Sequence, residues 1–394
     1  MSQQYYIGLM SGTSADAIDG VIICIDQHQI SLVKTLTLPI PEAIKSMIFG
    51  LAISGENEIE KIRYLDYELA QLFSTISLKL CQESNISTNH IHAIGSHGQT
   101  IRHYPPDHKR PAQQQYSACN EFFNADASKH GYTLQIGDPN IIVQQTGITT
   151  VTDFRRRDIA AGGHGAPLAP AFHSAFFASA KQNRIILNTG GIANITYLPA
   201  SNHPTNNEVI GFDTGPANGL MDAWCQLHLQ QHYDESGQWA ASGAIDQELL
   251  KALLKHPYFA LPAPKSTGRE TFNISWVSRV LATQNRRISA ADVQATLTEL
   301  TVETITSEIN KIDSNADVYI CGGGAHNSYF CERLRHHLSN NKLSSTEVLG
   351  IHPDWVEAAA FAWLAKRTID KLPGNLPSVT GAREEVISGG IYWA

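Results

Sequence analysis

The sequence predicts an α/β protein of two lobes, each built on a mixed sheet flanked by helices. Three observations predict it. A strand–turn–strand is written twice, at Tyr5–Ile25 and at Arg184–Leu198. Short apolar runs alternate with helical periods along the chain, the pattern of an α/β fold. And 394 residues exceed what one ordinary core organises. The expected division is a first lobe of 1–150 joined by the tail 375–394, and a second lobe of 151–374.

The elements follow in order. Strands are expected at 5–10, 20–26 and 31–38, then helices at 41–51 and 56–81. The second helix carries Ile59, Ile62, Leu65, Leu69, Leu72, Phe73 and Ile76 at three-to-four spacing, a face for packing on a sheet. A strand at 92–95 runs into Ser96-His97-Gly98-Gln99. Residues 105–132 are polar and without period, the mark of a surface insertion. A strand at 148–152 leads to Arg155-Arg156-Arg157-Asp158, a Gly-rich run at 160–167 and a helix at 170–179. The second half repeats the scheme, with strands at 184–189, 193–198, 208–212 and 318–321. Its helices are expected near 219–231, 246–254 and 292–311, after Gly322–Gly324 to about 337, and at 354–372.

Composition narrows the class. The chain is 42% hydrophobic and 17% charged, as a globular protein is. A net charge of −8 without a basic block speaks against nucleic acid as a partner. Cys24, Cys81, Cys119, Cys225, Cys321 and Cys331 form no C-x-x-C pair and read as reduced core residues. No leader and no apolar stretch of membrane-spanning length are visible, so the expected compartment is the cytoplasm, with no membrane partner.

Both duplicated turns are rich in Gly, Ser, Thr and Asn. Small residues expose successive N–H groups, and such nests hold phosphate oxygens. Two of them suggest a nucleoside triphosphate gripped in a cleft between the lobes. The first turn, Gly12-Thr13-Ser14-Ala15-Asp16-Ala17-Ile18-Asp19, adds two carboxylates, and carboxylates beside phosphate call for a cation. Asp16 and Asp19 are therefore candidate Mg²⁺ partners through water. The rival reading is a polar hairpin in which Asp caps its own backbone. Gly190, Gly191 and Asn194 form the second candidate turn, against a plain sheet hairpin. Gly322-Gly323-Gly324 after an apolar strand suits the approach of a flat ligand such as adenosine, or is simply a tight strand-to-helix turn. No P-loop and no G-x-G-x-x-G is present.

Asp213 ends a strand ahead of Gly215-Pro216, a placement that suits a general base or an Asx-turn. The run Arg155–Arg157 offers forked donors for a carboxylate or phosphate, or a solvated face. His97 and Gln99, after their strand, are placed to read sugar hydroxyls, although a lone His is more often structural. No zinc-type His spacing occurs.

These stretches together resemble the anhydro-N-acetylmuramic acid kinases. The resemblance rests on GLMSGTSADAID (8–19), GSHGQTIRH (95–103), QIGDP (135–139), DFRRRDIAAGGHGAPLAPAFH (153–173), LNTGGIAN (187–194), GFDTGPAN (211–218), PKSTGRETFN (264–273), CGGGAHN (321–327) and LPGNLPSVTGA (372–382). It implies the actin, hexokinase and Hsp70 superfamily, with an RNase H-like sheet in each lobe. It further implies an ATP- and Mg²⁺-dependent kinase that opens 1,6-anhydro-N-acetylmuramic acid and phosphorylates O6, in cell-wall recycling. Carried over residue by residue, Gly12–Asp19 and Gly190–Asn194 would hold ATP phosphates, and Gly322–Asn327 would meet the adenosine. Asp213 would be the base, and Arg156 and Glu357 would line the sugar pocket. Ala17 stands where Gly is usual, His164 where Gln is usual, and 105–132 is longer than typical. A homodimer is left open. The alternatives are a sugar kinase acting on a free hydroxyl, a non-catalytic sugar or nucleotide sensor, and a chaperone-like ATPase. The sensor would want a DNA-binding module and the chaperone a peptide-binding domain after the lobes, and neither is seen.

Overall fold

Parallel strands need a helical crossover, whereas antiparallel neighbours need only a turn. The arrangement of this chain follows from that rule. In a computed structural model, residues 3–26, 29–106, 131–202, 208–268 and 270–394 are described. They form two compact units, 1–172 with 357–394, and 173–356.

In the first unit β1 (Gln4–Ser11), β2 (Ala17–Asp26) and β3 (Gln29–Pro39) form an antiparallel meander. Helices α1 (Glu42–Leu51) and α2 (Glu58–Ser84) then cross to β4 (Ile91–Ser96), which lies parallel to β1. Next, β7 (Thr150–Thr152) adds parallel to β4, and β13 (Gly390–Tyr392) closes the far edge antiparallel to β7. The order is β3-β2-β1-β4-β7-β13.

The second unit has the same scheme. Its meander is β8 (Arg184–Thr189), β9 (Ile192–Leu198) and β10 (Ile210–Pro216). Beyond a helical stretch that includes α3 (Ala290–Ile312), β11 (Asp317–Cys321) lies parallel to β8 and β12 (Leu343–Ser345) parallel to β11. The order is β10-β9-β8-β11-β12. Three antiparallel strands followed by two parallel ones, in spatial order 3-2-1-4-5, occur in each unit. That is the RNase H-like sheet the resemblance implied.

Apolar faces explain the packing. In α2, Leu65, Leu69, Phe73, Ile76 and Leu80 are buried against Ile7, Leu9, Ile18 and Ile22 of the sheet. Ile59, expected on that face, is 81% exposed, because the helix reaches the sheet only beyond its first turn. In the second unit Val302, Ile305 and Ile309 of α3 pack with Ile185, Leu187, Ile195 and Phe212. A separate cluster joins Leu220, Trp224, Leu249, Leu253, Phe272 and Trp276.

The units meet the chain at 172/173 and 356/357, where the sequence reading put the divisions at 150/151 and 374/375. Two contacts draw the intervening segments into the first unit. One is the pairing of β7 with β4. The other is α4 (Val356–Ile369), whose Ala-rich face lies directly on the sheet. Gly8 and Gly95 are register partners on β1 and β4. A Cβ on Gly8 would stand 1.9 Å from the Ala358 carbonyl oxygen, and one on Gly95 2.0 Å from that of Phe361.

Several elements were not expected. A hairpin of β5 (Gln99–Tyr104) and β6 (Tyr132–Ile136) forms a two-stranded sheet of its own, so the predicted insertion is flanked by strands. Most of that insertion, 107–130 with Cys119, lies outside the described residues. Helices Pro139–Thr146 and Ile274–Ala282 are capped by the side chains of Asp138 and Asn273, which accept from Asn140 N and Trp276 N. The five described cysteines are buried free thiols, as expected of core residues. Among the described residues no helix is long and apolar enough to cross a membrane.

The Gly8–Gly95 contact makes a stability prediction. Gly95→Ala should lower the urea midpoint, with a stability loss of roughly 1–3 kcal/mol or more, because the methyl meets backbone that cannot rotate away. Gly50→Ala, at a site where a Cβ meets nothing within 4 Å, should not lower it. An unchanged midpoint for Gly95→Ala would refute the close approach of α4.

Candidate active site

The two duplicated turns occupy equivalent places, each between the first two strands of its meander. In the first unit the turn is rooted by Gln99, which is buried. Ser11 Oγ donates to Gln99 Oε1 at 2.6 Å, and Gln99 Nε2 donates to Gly12 O at 3.3 Å. The amide predicted to read sugar hydroxyls is thus engaged with the turn itself. Ala15 adopts a left-handed backbone (φ 50°), and its N–H donates to Gly12 O at 3.1 Å. Ala15 and Ile18 point their side chains into the core, so either could meet a ligand only through backbone. Ala17 opens β2 opposite Pro39. A Cβ at Gly12 would find only Ser14 Oγ, at 3.9 Å. The fold itself does not require glycine there.

Both carboxylates of this turn have protein partners. Asp16 pairs with Lys45, and Asp19 Oδ1 accepts from Thr37 Oγ1 at 2.8 Å. Among the described residues no group of three or more His, Cys, Asp or Glu is placed to hold a metal.

In the second unit the carbonyls of Gly190 and Gly191 are taken by the start of the helix Asn218–Leu229. Asn218 N donates to Gly190 O at 3.0 Å and Gly219 N to Gly191 O at 3.2 Å. A Cβ on Gly190 would meet only Ile192 O, at 3.9 Å. This turn is also open where a ligand would approach. Gly322–Gly324 differs. Gly322 has φ 78°, and its Cβ would stand 2.4 Å from Asn188 Oδ1; that of Gly324 would stand 2.4 Å from Thr189 Oγ1. Gly322 and Gly324 are required by close packing against Asn188 and Thr189 whether or not a ligand is near. Asn327 Oδ1 caps the helix Ser328–His337 by accepting from Phe330 N at 3.0 Å.

Asp213 lies in β10 at a bulge, opposite Asn194 of β9, which in turn is opposite Asn188 of β8. Residues directly opposite share a face, so Asp213, Asn194 and Asn188 form one polar row across an apolar sheet. Asn188 was missed by the sequence reading; only the register reveals it. The Asp213 main chain is held on both sides. Its N–H donates to Lys265 O at 3.0 Å, and its carbonyl accepts from Tyr258 Oη at 2.6 Å. Its Oδ2 accepts from Thr267 N–H at 3.0 Å. Burial pushes this carboxyl up to about 7, with Glu270 adding to the rise and the Thr267 N–H opposing it. A carboxyl poised near neutrality is what general-base work requires.

The sugar-site candidates His97 and Glu357 fall in the first unit with the arginine run. His97 is buried and packs on Phe361 with its ring tilted, the centroids 4.7 Å apart. Its Nε2 accepts from Arg155 Nη2 at 2.8 Å. Burial and then the Arg155 charge hold His97 well below the usual imidazole range, so it is neutral. Arg155 is the inward member of the run. Burial lowers it to about 10, while the Glu357 and Asp158 carboxylates favour its charge. Arg156 is exposed, 3.4 Å from Asp153. Asp158, fully buried, ties the Gly-rich loop to the tail. It accepts from Gly165 N at 2.8 Å, Asn375 Nδ2 at 2.7 Å and Thr380 Oγ1 at 2.7 Å. His164 N donates to Thr380 O at 2.8 Å.

A pH signature follows. The Asp213 carboxyl is raised from 3.8 to about 7 in the folded protein. Its contribution to stability is complete below pH ~4 and is lost as pH rises through about 7. Asp213→Asn removes that penalty and keeps an acceptor for Thr267. The melting temperature of Asp213→Asn relative to the parent should therefore rise between pH 4 and pH 8. A constant difference across that range would contradict the shift.

Comparison with known proteins places the chain in a lineage. The family model described as Anhydro-N-acetylmuramic acid kinase matches residues 4–394. Relatives bearing that name include one from Shewanella pealeana, 48% identical over 392 residues that cover 100% of this chain and 99% of the relative. One from Coxiella burnetii is 45% identical over 394 residues, covering 100% and 98%. One from Saccharophagus degradans is 46% identical over 392 residues, covering 100% of both.

Proposed function

Because the chain belongs to the anhydro-N-acetylmuramic acid kinase family, we propose that it opens 1,6-anhydro-N-acetylmuramic acid with water and phosphorylates O6 from ATP. The product is N-acetylmuramic acid 6-phosphate, and the setting is peptidoglycan recycling in the cytoplasm. The observation that carries the mechanism is Asp213: fixed on both sides of its main chain and poised near pH 7.

The anhydro bridge joins C1 to O6, so O6 has no hydrogen to give up. Water attacks C1, the C1–O6 bond breaks, and O6 takes the γ-phosphoryl group as its bond to the ADP oxygen breaks. Asp213 accepts the proton of the attacking water, which raises its nucleophilicity as charge develops at C1. We assign ATP phosphate contacts to Gly12–Asp19 and Gly190–Asn194, where a glycine Cβ would find room, and adenosine contacts to Gly322–Asn327. His97, Arg156 and Glu357 are assigned to the sugar, with Arg155 as the residue that orients His97. Gln99 supports the first phosphate turn from beneath. Magnesium would neutralise phosphate charge. Asp16 and Asp19, committed to Lys45 and Thr37, do not make a direct cage for it, and no step here runs through them.

Two tests follow. Gly12→Val should fold normally, since its Cβ has room, yet weaken ATP at least about tenfold, the equivalent of ~1.4 kcal/mol. Unchanged ATP affinity by calorimetry would remove this turn from the nucleotide site.

Asp213→Asn should bind both substrates within a few-fold and lose about 10²–10⁴ in kcat. In the parent, kcat/KM should rise with pH through about 7 as the carboxylate forms. In ¹⁸O-water, label should enter at C1 while O6 keeps the bridge oxygen. A phosphorylated product without label would favour a kinase acting on a free hydroxyl, and label at O6 would mean that the C6–O6 bond breaks instead.

A further inference from the structure

We infer that the buried Lys265–Glu308 ion pair is a staple that aims the Asp213 carboxylate, making Lys265 and Glu308 positioning residues for the reaction. The inference rests on Asp213 being the base. Two of the three contacts that hold Asp213 come from the segment 264–268: the Lys265 carbonyl on its N–H and the Thr267 N–H on its Oδ2. That segment belongs to no helix or strand, so its own backbone ladder cannot hold it in place.

What holds it is the Lys265 side chain, only 3% exposed, whose Nζ donates to Glu308 Oε1 at 3.0 Å. The ammonium also lies 5.2 Å from the centre of the Tyr258 ring, and Tyr258 supplies the third contact to Asp213. Glu308 sits on α3, within a turn of the buried Ile305 and Ile309, and its Oε1 also accepts from Lys311 at 2.9 Å. One buried pair thus connects a core helix to both sides of the base. Among the described residues, the charged and titratable groups around Asp213 are Glu270, Tyr258, Lys265 and Glu308. Apolar replacement of a buried ion pair is often neutral for stability but loses the direction that the pair imposes. This separates a positioning role from a structural one.

The test is the double variant Lys265→Met/Glu308→Leu, beside Lys265→Arg, Glu308→Gln and Asp213→Asn. The double variant should melt near the parent and keep the KM for ATP. Its kcat should fall towards the roughly hundredfold loss that a 1 Å misplacement causes. Its acidic limb should move to higher pH, because a carboxylate without the Thr267 N–H holds its proton more tightly. Lys265→Arg, which keeps the pair, should recover most of the rate. If the double variant does not fold, Glu308→Gln must lower kcat at an unchanged KM for ATP while Lys265→Arg does not. A folded double variant with the parent's kcat, or with a lower kcat and an unmoved limb, overturns the staple. Asp213→Asn with near-parent kcat overturns the base reading itself; Asp213→Asn without activity beside unmoved limbs overturns the staple alone.

Discussion

The first unit depends on one steric constraint: two glycines, Gly8 and Gly95, side by side on neighbouring parallel strands. Their missing side chains let the backbone of α4 rest on the sheet. The helix sequence matches this, with Ala358 and Ala362 buried against Gly8 and Ala365 against Gly95. Descent of the helix carries Phe361 against His97 and Phe154, and places Glu357 where it acts on Arg155. The neutral state of His97 and the inward position of Arg155 both follow from that packing. A larger residue at either glycine would lift the helix and loosen all of these together.

Glycine serves two different ends in the candidate site. At Gly12 and Gly190 the surrounding protein leaves room for a side chain, so packing does not account for the glycines. At Gly322 and Gly324 the surrounding protein leaves no room, so the absence of a side chain lets two segments of the same unit touch. Sequence composition alone cannot separate these uses. Asp213 shows a comparable division: its location comes from β10, but its protonation comes from burial beside Glu270.

Much of the architecture was legible because it is local. The duplicated hairpins, the long α2 and the strands before Gly322 and Asp213 are encoded in runs of neighbouring residues. The β5–β6 hairpin was not, because its two strands are separated by a long polar segment that hides their pairing. Nor was the role of Asp158 legible, since its partners Asn375 and Thr380 lie more than two hundred residues away. Three consecutive arginines gave no hint that Arg155 alone turns inward; burial decides that. Asn188 looks like an ordinary strand residue until register sets it in one row with Asn194 and Asp213.

The first unit is also discontinuous in the chain. It comprises 1–172 and 357–394, with the whole of the second unit inserted between. On the ribosome, where synthesis runs at ~5–20 residues per second, the strands bearing Gly8 and Gly95 emerge long before α4 exists. The interval is on the order of ten seconds or more. Throughout it, the strip of backbone bared by the two glycines has no helix to cover it. The geometry that lets α4 pack so closely therefore leaves the nascent first unit with its central strands uncovered until nearly the entire chain has been made.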